Sequence, residues 1–389
     1  MGVENFYDFH RHASITSPMS LVISALAFLV LLSVLVIIHE LGHYLMARKA
    51  KVVVEEFGFG LPPRALTLFH SGATHFTLNW IPFGGFIRMK GDNLADEHER
   101  RRSGTFAGAS IPARILILIA GVVMNFLFAI LLFAIGFSAG RWIPTYLTYE
   151  DMQAAAVKGV IHMEPTVLIE GVVAGGAAEK AGVPSPSIIK TIDKTAVTSP
   201  EQVAPLLAGK GRVALTLLTG TGFTEEVRLA VSVKAGRMGV EIRAYPKDLS
   251  APVRGLPAAL ALSVREVGVV TVQTVLGMEQ LIVSLVSRAT VPEGITGIVG
   301  IAELTHLSVQ QGFMTYLRLV ALLSLSLAVL NILPLPALDG GRLIFVLYEA
   351  VRRRPASVRV ETTTNFVGFL VLIGLILIIT YHDILRFFL

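Results

Sequence analysis

The 389-residue chain contains no cysteine. Disulfides and thiolate metal sites are thereby excluded, and any bound metal must be held by histidine and carboxylate. Charge is scarce as well. Asp, Glu, Lys and Arg make up 16% of the chain against 53% hydrophobic residues, and the mean hydropathy is +0.68, outside the range of soluble globular proteins. The composition reads as an integral membrane protein with soluble parts. Residues 141–310 hold fifteen Lys/Arg and fifteen Asp/Glu, and no basic stripe suggests a nucleic-acid partner. No small-residue cleavage site follows the first apolar run before the histidines, so Leu21 to Leu45 reads as a retained helix and not as a signal peptide.

What the chain does contain is organised around Ile37-Ile38-His39-Glu40-Leu41-Gly42-His43-Tyr44, at the end of an apolar run from Leu21 to Ile38. Positions four apart share a helix face, so His39 and His43 can both face one metal ion, with Glu40 beside it as a base. Ionisable groups are costly near the end of a spanning segment and mark functional sites there. A helix end reaching lipid headgroups accounts for charge near the interface but not for the spacing.

The remaining chain divides into segments with different periodicities. Residues 19–50 form a first transmembrane helix, 105–140 a second, 313–345 a third and 363–385 a fourth. Between the first two, residues 51–104 read as a membrane-associated β-sheet and linker on the cytoplasmic side. Strands at 75–80 and 86–89 are separated there by Pro82-Phe83-Gly84-Gly85. Phe76, Leu78 and Trp80 are candidate contacts for an extended segment added to the sheet, and a structural hairpin on the membrane is the alternative. The polar linker carries Arg100-Arg101-Arg102, a headgroup anchor. Residues 255–312 are apolar but interrupted by Arg265, Glu266, Glu279 and Arg288, and read as amphipathic helix along the membrane. Met46 to Ile115 carries ten Lys/Arg against six Asp/Glu, whereas the first twenty residues carry one Arg. That bias puts the histidine end of the first helix toward the cytoplasm and both chain ends outside.

Residues 160–248 look soluble. Strands at 167–173, 188–192, 212–218, 225–233 and 237–242 alternate with a short helix at 177–181 and a helix opened by Ser199-Pro200-Glu201. This order, with the Gly-Val-Val-Ala-Gly-Gly-Ala-Ala-Glu-Lys-Ala-Gly run at 171–182, resembles a bacterial, circularly permuted PDZ domain. Ser185-Pro186-Ser187 replaces that family's usual Gly-Asp, and its peptide-binding loop corresponds to the stretch around Met238-Gly239-Val240. Peptide capture and steric exclusion are both open as its role.

The third span ends in Asn331-Ile332-Leu333-Pro334-Leu335-Pro336-Ala337-Leu338-Asp339-Gly340-Gly341. Two prolines break a helix at membrane depth, which is tolerated where freed backbone lines an enclosed site. A catalytic zinc takes three protein ligands, and Asp339 is the best third candidate beside His39 and His43. Asn125 in the second span and Asn331 are candidate contacts for an unwound substrate backbone.

His39-Glu40-x-x-His43 together with Asn331-x-x-Pro334-x-x-x-Leu338-Asp339-Gly340 resembles the site-2 protease family of intramembrane zinc metalloproteases. The PDZ-like insertion resembles the bacterial branch that cleaves anti-sigma factors. The family's Gly-Pro pairs are Gly121-Val122 and Gly297-Ile298 here, departures that bear on helix bends and not on ligands. The fold class implied is a polytopic α-helical membrane protein of about four spans, with a membrane-associated β-sheet and an inserted PDZ-like α+β domain. The resemblance also implies Zn2+ as cofactor, Glu40 as catalytic base, and hydrolysis in or near transmembrane segments of single-pass membrane proteins such as anti-sigma factors or leftover signal peptides. The location implied is the bacterial cytoplasmic membrane, with the PDZ-like domain outside and the active site toward the cytoplasm. A non-catalytic scaffold holding partner tails is the competing reading, distinguished by having no need of Glu40.

Overall fold

The computed structural model describes residues 18–91, 102–220, 222–292 and 294–388. Arg100 and Arg101 of the basic linker fall outside these residues. Two compact units are present, one built from residues 141–253 and the other from the chain on either side of it.

In the larger unit, α1 (Pro18–Lys49) is a helix of 32 residues ending in Arg48 and Lys49. At 1.5 Å per residue it is about 48 Å long, more than the hydrocarbon thickness of a bilayer. The chain then turns at Lys51 (φ 59°) into β1 (Val54–Ser71) and β2 (Thr74–Met89). These two strands bend and pair twice. Phe57 faces both Phe76 and Ile87, and Leu78 faces both Phe59 and Leu66. The effect is a four-segment antiparallel sheet in the order 66–71, 74–78, 54–59, 85–89. The strands expected at 75–80 and 86–89 thus belong to one bent strand that crosses Pro82 to Gly85 without a break, because Gly84 (φ 82°) supplies the bend. Next comes α2 (Ile111–Ser138), opened by Pro112 in its first turn.

The smaller unit begins with α3 (Tyr149–Val157) and β3 (His162–Val172), followed by α4 (Ala177–Lys180), β4 (Ser187–Ile192), β5 (Thr195–Ala196), α5 (Val203–Leu207), β6 (Arg212–Thr219), β7 (Glu225–Ser232) and β8 (Val240–Ser250). Its sheet runs β7-β6-β4-β3-β8 with β5 added to β4, over a core of Val167, Ile169, Ile189, Leu215, Leu217 and Val231. Two local expectations differ. The helix expected from Ser199 is a 3-10 turn (Pro200–Gln202) followed by α5, and Ser199 makes no side-chain cap. Pro205 cannot donate to an upstream carbonyl, which keeps this segment short. The last strand starts at Val240, because Lys234 and Arg237 close a tight turn through mutual backbone bonds of 3.0 Å.

The larger unit resumes with α6 (Leu256–Arg288), α7 (Ile298–Gln311), α8 (Phe313–Ile332), α9 (Asp339–Arg352) and α10 (Val358–Phe388). The 255–312 segment, expected as one amphipathic stretch, is therefore two helices. By length and composition α6 joins α1, α2, α8 and α10 as a fifth helix able to cross a membrane. One of the charges that made it read as amphipathic is placed differently: Glu266 lies on a buried stripe with Ala259, Ser263 and Val270, against Arg318 of α8, whereas Arg265, Glu279 and Arg288 are exposed. The helix expected over 313–345 ends at Ile332, and Asp339 opens a helix of its own.

Candidate metal centre

The site starts from glycines. Where α1 crosses α2, a Cβ on Gly42 would lie 2.3 Å from the Ala120 carbonyl oxygen, so only glycine permits this approach. One residue on, a Cβ on Gly121 would lie 2.5 Å from His43 Nε2 and 2.7 Å from His39 Cε1. The bare face of α2 at Gly121 is what leaves room for both imidazoles. Below them, Tyr44, Ala47, Phe57, Ile117 and Leu118 form a buried cluster that anchors this end of α1 against β1 and α2.

His39 and His43 are buried, with rings edge to face at 4.7 Å. Their Nε2 atoms are 3.1 Å apart. Asp339 Oδ2 lies 2.8 Å from His39 Nε2 and 3.0 Å from His43 Nε2. One ligand atom from each of the three residues falls within 4.8 Å of the others, the one such group among the described residues. Asp339 reaches this point because Leu333 to Leu338 folds back over the start of α9. A Cβ on Gly340 would lie 2.0 Å from the Leu333 carbonyl oxygen, and one on Gly341 2.3 Å from that of Leu335. The glycine pair after Asp339 is thus a packing requirement. Arg114 of α2 donates to Glu349 of α9 at 2.9 Å, tying the two helices together beyond the site.

The donor chemistry fits a cation. His43 donates its Nδ1 proton to the Ile117 carbonyl oxygen at 2.7 Å, so in the neutral ring Nε2 presents a lone pair. That lone pair faces a carboxylate oxygen and a second imidazole nitrogen, an arrangement that is unfavourable unless positive charge lies between them. Two imidazoles and one carboxylate with a position left open is a catalytic zinc set. Asn125 is fully buried, its amide 3.5 Å from His39 Nδ1, and its Oδ1 has no hydrogen-bond partner. A His39 that ligates through Nε2 carries its proton on Nδ1 and needs an acceptor there. Turning the Asn125 amide supplies it, the outer-sphere support that metal-binding histidines receive.

The other expected residues divide. Asn331 Nδ2 lies 3.4 Å from His39 Nε2, so both asparagines reach the histidines. Phe76 stacks on Phe69 at 4.4 Å and meets Tyr44 and Phe57. It is a packing residue, and the segment holding Phe76 and Leu78 is paired on both sides, so neither presents a free strand edge. Trp80 is 72% exposed. The segment that borders α1 at Glu40 is 85–89: Gly85 packs near Val36 and Ile37, and the Ile87 backbone N–H donates to the half-buried Glu40 carboxylate. The sequence reading missed three contributors, Gly121, the Ile117 carbonyl and Ile87. Only Gly121 has a trace in the sequence, as half of the Gly121-Val122 pair that stands in place of Gly-Pro.

A helical membrane protein with a His-Glu-x-x-His helix and a carboxylate brought to its two imidazoles is, as a class, a metalloprotease. The comparisons with known proteins agree. Residues 27–375 match the profile of peptidase family M50, and the chain belongs to that family. Provisionally named zinc metalloproteases of Clostridium acetobutylicum and Campylobacter jejuni are each 28% identical to it, over 94% of this chain and 97% and 94% of theirs. The zinc metalloprotease RasP of Bacillus licheniformis is 25% identical over 94% of this chain and 100% of its own. The protein is an integral membrane metalloprotease that uses zinc.

Proposed function

We propose that His39, His43 and Asp339 hold the zinc, that Glu40 is the catalytic base, and that the substrates are membrane-anchored proteins cut in or next to their transmembrane segments. The observation that carries this reading is the convergence of the three ligand atoms beside Glu40, at the end of a helix long and apolar enough to span a bilayer. What zinc supplies there is Lewis-acid polarisation of the scissile carbonyl and activation of a water. Glu40 takes a proton from the attacking water and delivers it to the leaving amine. His43 is kept in the ligating tautomer by the Ile117 carbonyl, and Asn125 does the same for His39. A substrate helix must unwind to expose its peptide bonds, and the outer edge of 85–89, whose Ile87 N–H already points at Glu40, is the natural place for the unwound strand to pair.

In the same reading the 141–253 unit is a permuted PDZ-type domain that excludes substrates whose outer part has not been trimmed, and the substrates are anti-sigma factors or leftover signal peptides. Strand order supports the permuted PDZ-type topology: the sheet runs β7-β6-β4-β3-β8, and β8 follows directly on a loop whose Met238 and Gly239 carbonyls accept from Ala178 and Val173 at 2.9 Å. The testing experiment is Glu40→Gln in cells carrying a membrane-anchored reporter. Cleavage should fall at least about a hundredfold with zinc content unchanged, and undiminished cleavage would sink the assignment.

A further inference from the structure

Outside the metal centre, the smaller unit carries a cavity of about 610 Å³ between α4 and the end of the β6–β7 ladder. Four cations line it, Lys180, Arg212, Lys234 and Arg237, with Ser232 and otherwise mostly glycine and alanine. No carboxylate is among the lining residues. The unit elsewhere matches its cations with acids: Lys190 and Arg228 with Glu226, Lys210 with Asp193, Arg243 with Glu170 and Lys247 with Asp248. None of the four cavity cations has an ion pair among the described residues. Glu179, the nearest acid in sequence, is turned to the Gly175 N–H at 2.7 Å.

The backbone fixes this juxtaposition. Lys234 and Arg237 are bridge partners across a two-residue turn at Ala235 and Gly236 (φ 49° and 73°), so their side chains leave from directly opposed positions. Like charges directly opposed are unfavourable. The Val233 N–H donates to the Gly211 carbonyl at 2.9 Å, and Arg212 pairs with Ser232, which brings a third cation to the same end of the ladder. An anion seated among them removes the repulsion. Small residues leave it room, and Arg212 and Arg237 have the forked donors that suit phosphate oxygens.

We propose that this cavity is a phosphate-binding site, filled by the headgroup of an anionic phospholipid. Connectivity favours lipid over soluble phosphate, since only residues 139–140 and 254–255 separate the unit from α2 and α6, two helices able to cross a membrane. The full-length protein in nanodiscs of phosphatidylcholine, with and without phosphatidylglycerol, tests this by hydrogen exchange over residues 175–181 and 232–239. Protection in these two segments should appear only with phosphatidylglycerol. Titration with short-chain phosphatidylglycerol should be about a hundredfold weaker in Arg212→Gln/Lys234→Gln/Arg237→Gln, taking roughly fivefold for each basic group beside an anionic surface. All three residues are exposed, so the variant should keep the parent melting temperature. The same triple neutralisation at Arg352, Arg353 and Arg354 should leave the protection at 175–181 and 232–239 intact. Equal protection in pure phosphatidylcholine, or unchanged affinity in the first triple variant, would overturn the site. Protection by inorganic phosphate alone in phosphatidylcholine would overturn the lipid as its source.

Discussion

Gly121→Ala adds a single methyl group, and its cost can be read from the geometry. The new Cβ would lie 2.5 Å from His43 Nε2, 2.7 Å from His39 Cε1 and 2.8 Å from His43 Cε1. Ordinary contact begins at 3.4 Å, a shortfall of about 0.9 Å at the closest atom. Moving the helices apart to make room would open the close approach of Gly42 on α1 to the Ala120 carbonyl and the buried packing of Tyr44, Ile117 and Leu118 beside it. The imidazoles must therefore leave their positions, and overpacking of this kind costs about 1–3 kcal/mol. Metal ligands tolerate displacements of only about 0.2 Å, so zinc affinity should fall by at least about tenfold and reporter cleavage with it. Alanine is the better helix former by nearly 1 kcal/mol, so a general loss of helix is not expected. The assay is zinc retained per protein against graded chelator, with the melting temperature in parallel. Wild-type zinc affinity together with wild-type cleavage in Gly121→Ala would refute the account of why α2 is bare at this point.

Three further outcomes follow from neighbouring contacts. Asn125→Leu removes the acceptor for His39 and should weaken zinc by about tenfold, whereas Asn125→Asp keeps an acceptor and should stay within a few-fold; equal losses in both would remove Asn125 from this role. Arg114→Met leaves Glu349 without its cation and should cost about 2 kcal/mol of thermal stability, with Arg114→Met/Glu349→Leu recovering most of it; no recovery in the double variant would count against the pair. In the smaller unit, the hydrogen bond from Lys210, with one from the Ala214 N–H, holds the Asp193 carboxyl below its ordinary range. Its folded value being the lower one, the stability it contributes is complete above the unfolded value near about 4 and is lost as pH falls through the folded value. Protection factors of the amides around Asp193, taken relative to the intrinsic exchange rate at each pH, should fall under acid in the wild type, and Asp193→Asn should flatten that dependence.

What was legible in the sequence follows the range of the interaction. The spacing of His39, Glu40 and His43 is set by one helix turn and can be read locally. The strands of the smaller unit and most helices follow from periodicity in the same way. Asp339 lies three hundred residues from His39 and was reached only by asking what a third ligand would have to be. The face that α6 buries was not legible, since a charge in an apolar run looks the same whether it meets lipid, water or, like Glu266, another helix. Nor was the double pairing of β1 and β2, because a bent strand and two strands share the same alternation, which is why Phe76 and Leu78 looked like an exposed edge.

The parts that were missed share a physical character. Gly121 acts by having no side chain, and Ile117 and Ile87 act through backbone atoms that every residue carries, so none has a signature in residue type. Yet these groups decide whether the legible residues work: the Ile117 carbonyl sets which nitrogen of His43 is free, the absence of a Cβ at Gly121 sets whether both rings fit, and the Ile87 N–H fixes where Glu40 points. A His-Glu-x-x-His helix without them still has its two imidazoles on one face, but nothing holds their lone pairs toward Asp339. The motif is thus necessary, and the helix packed against it makes it a site. For that reason a methyl group on α2 should disable the centre nearly as well as replacing His39 or His43 on α1.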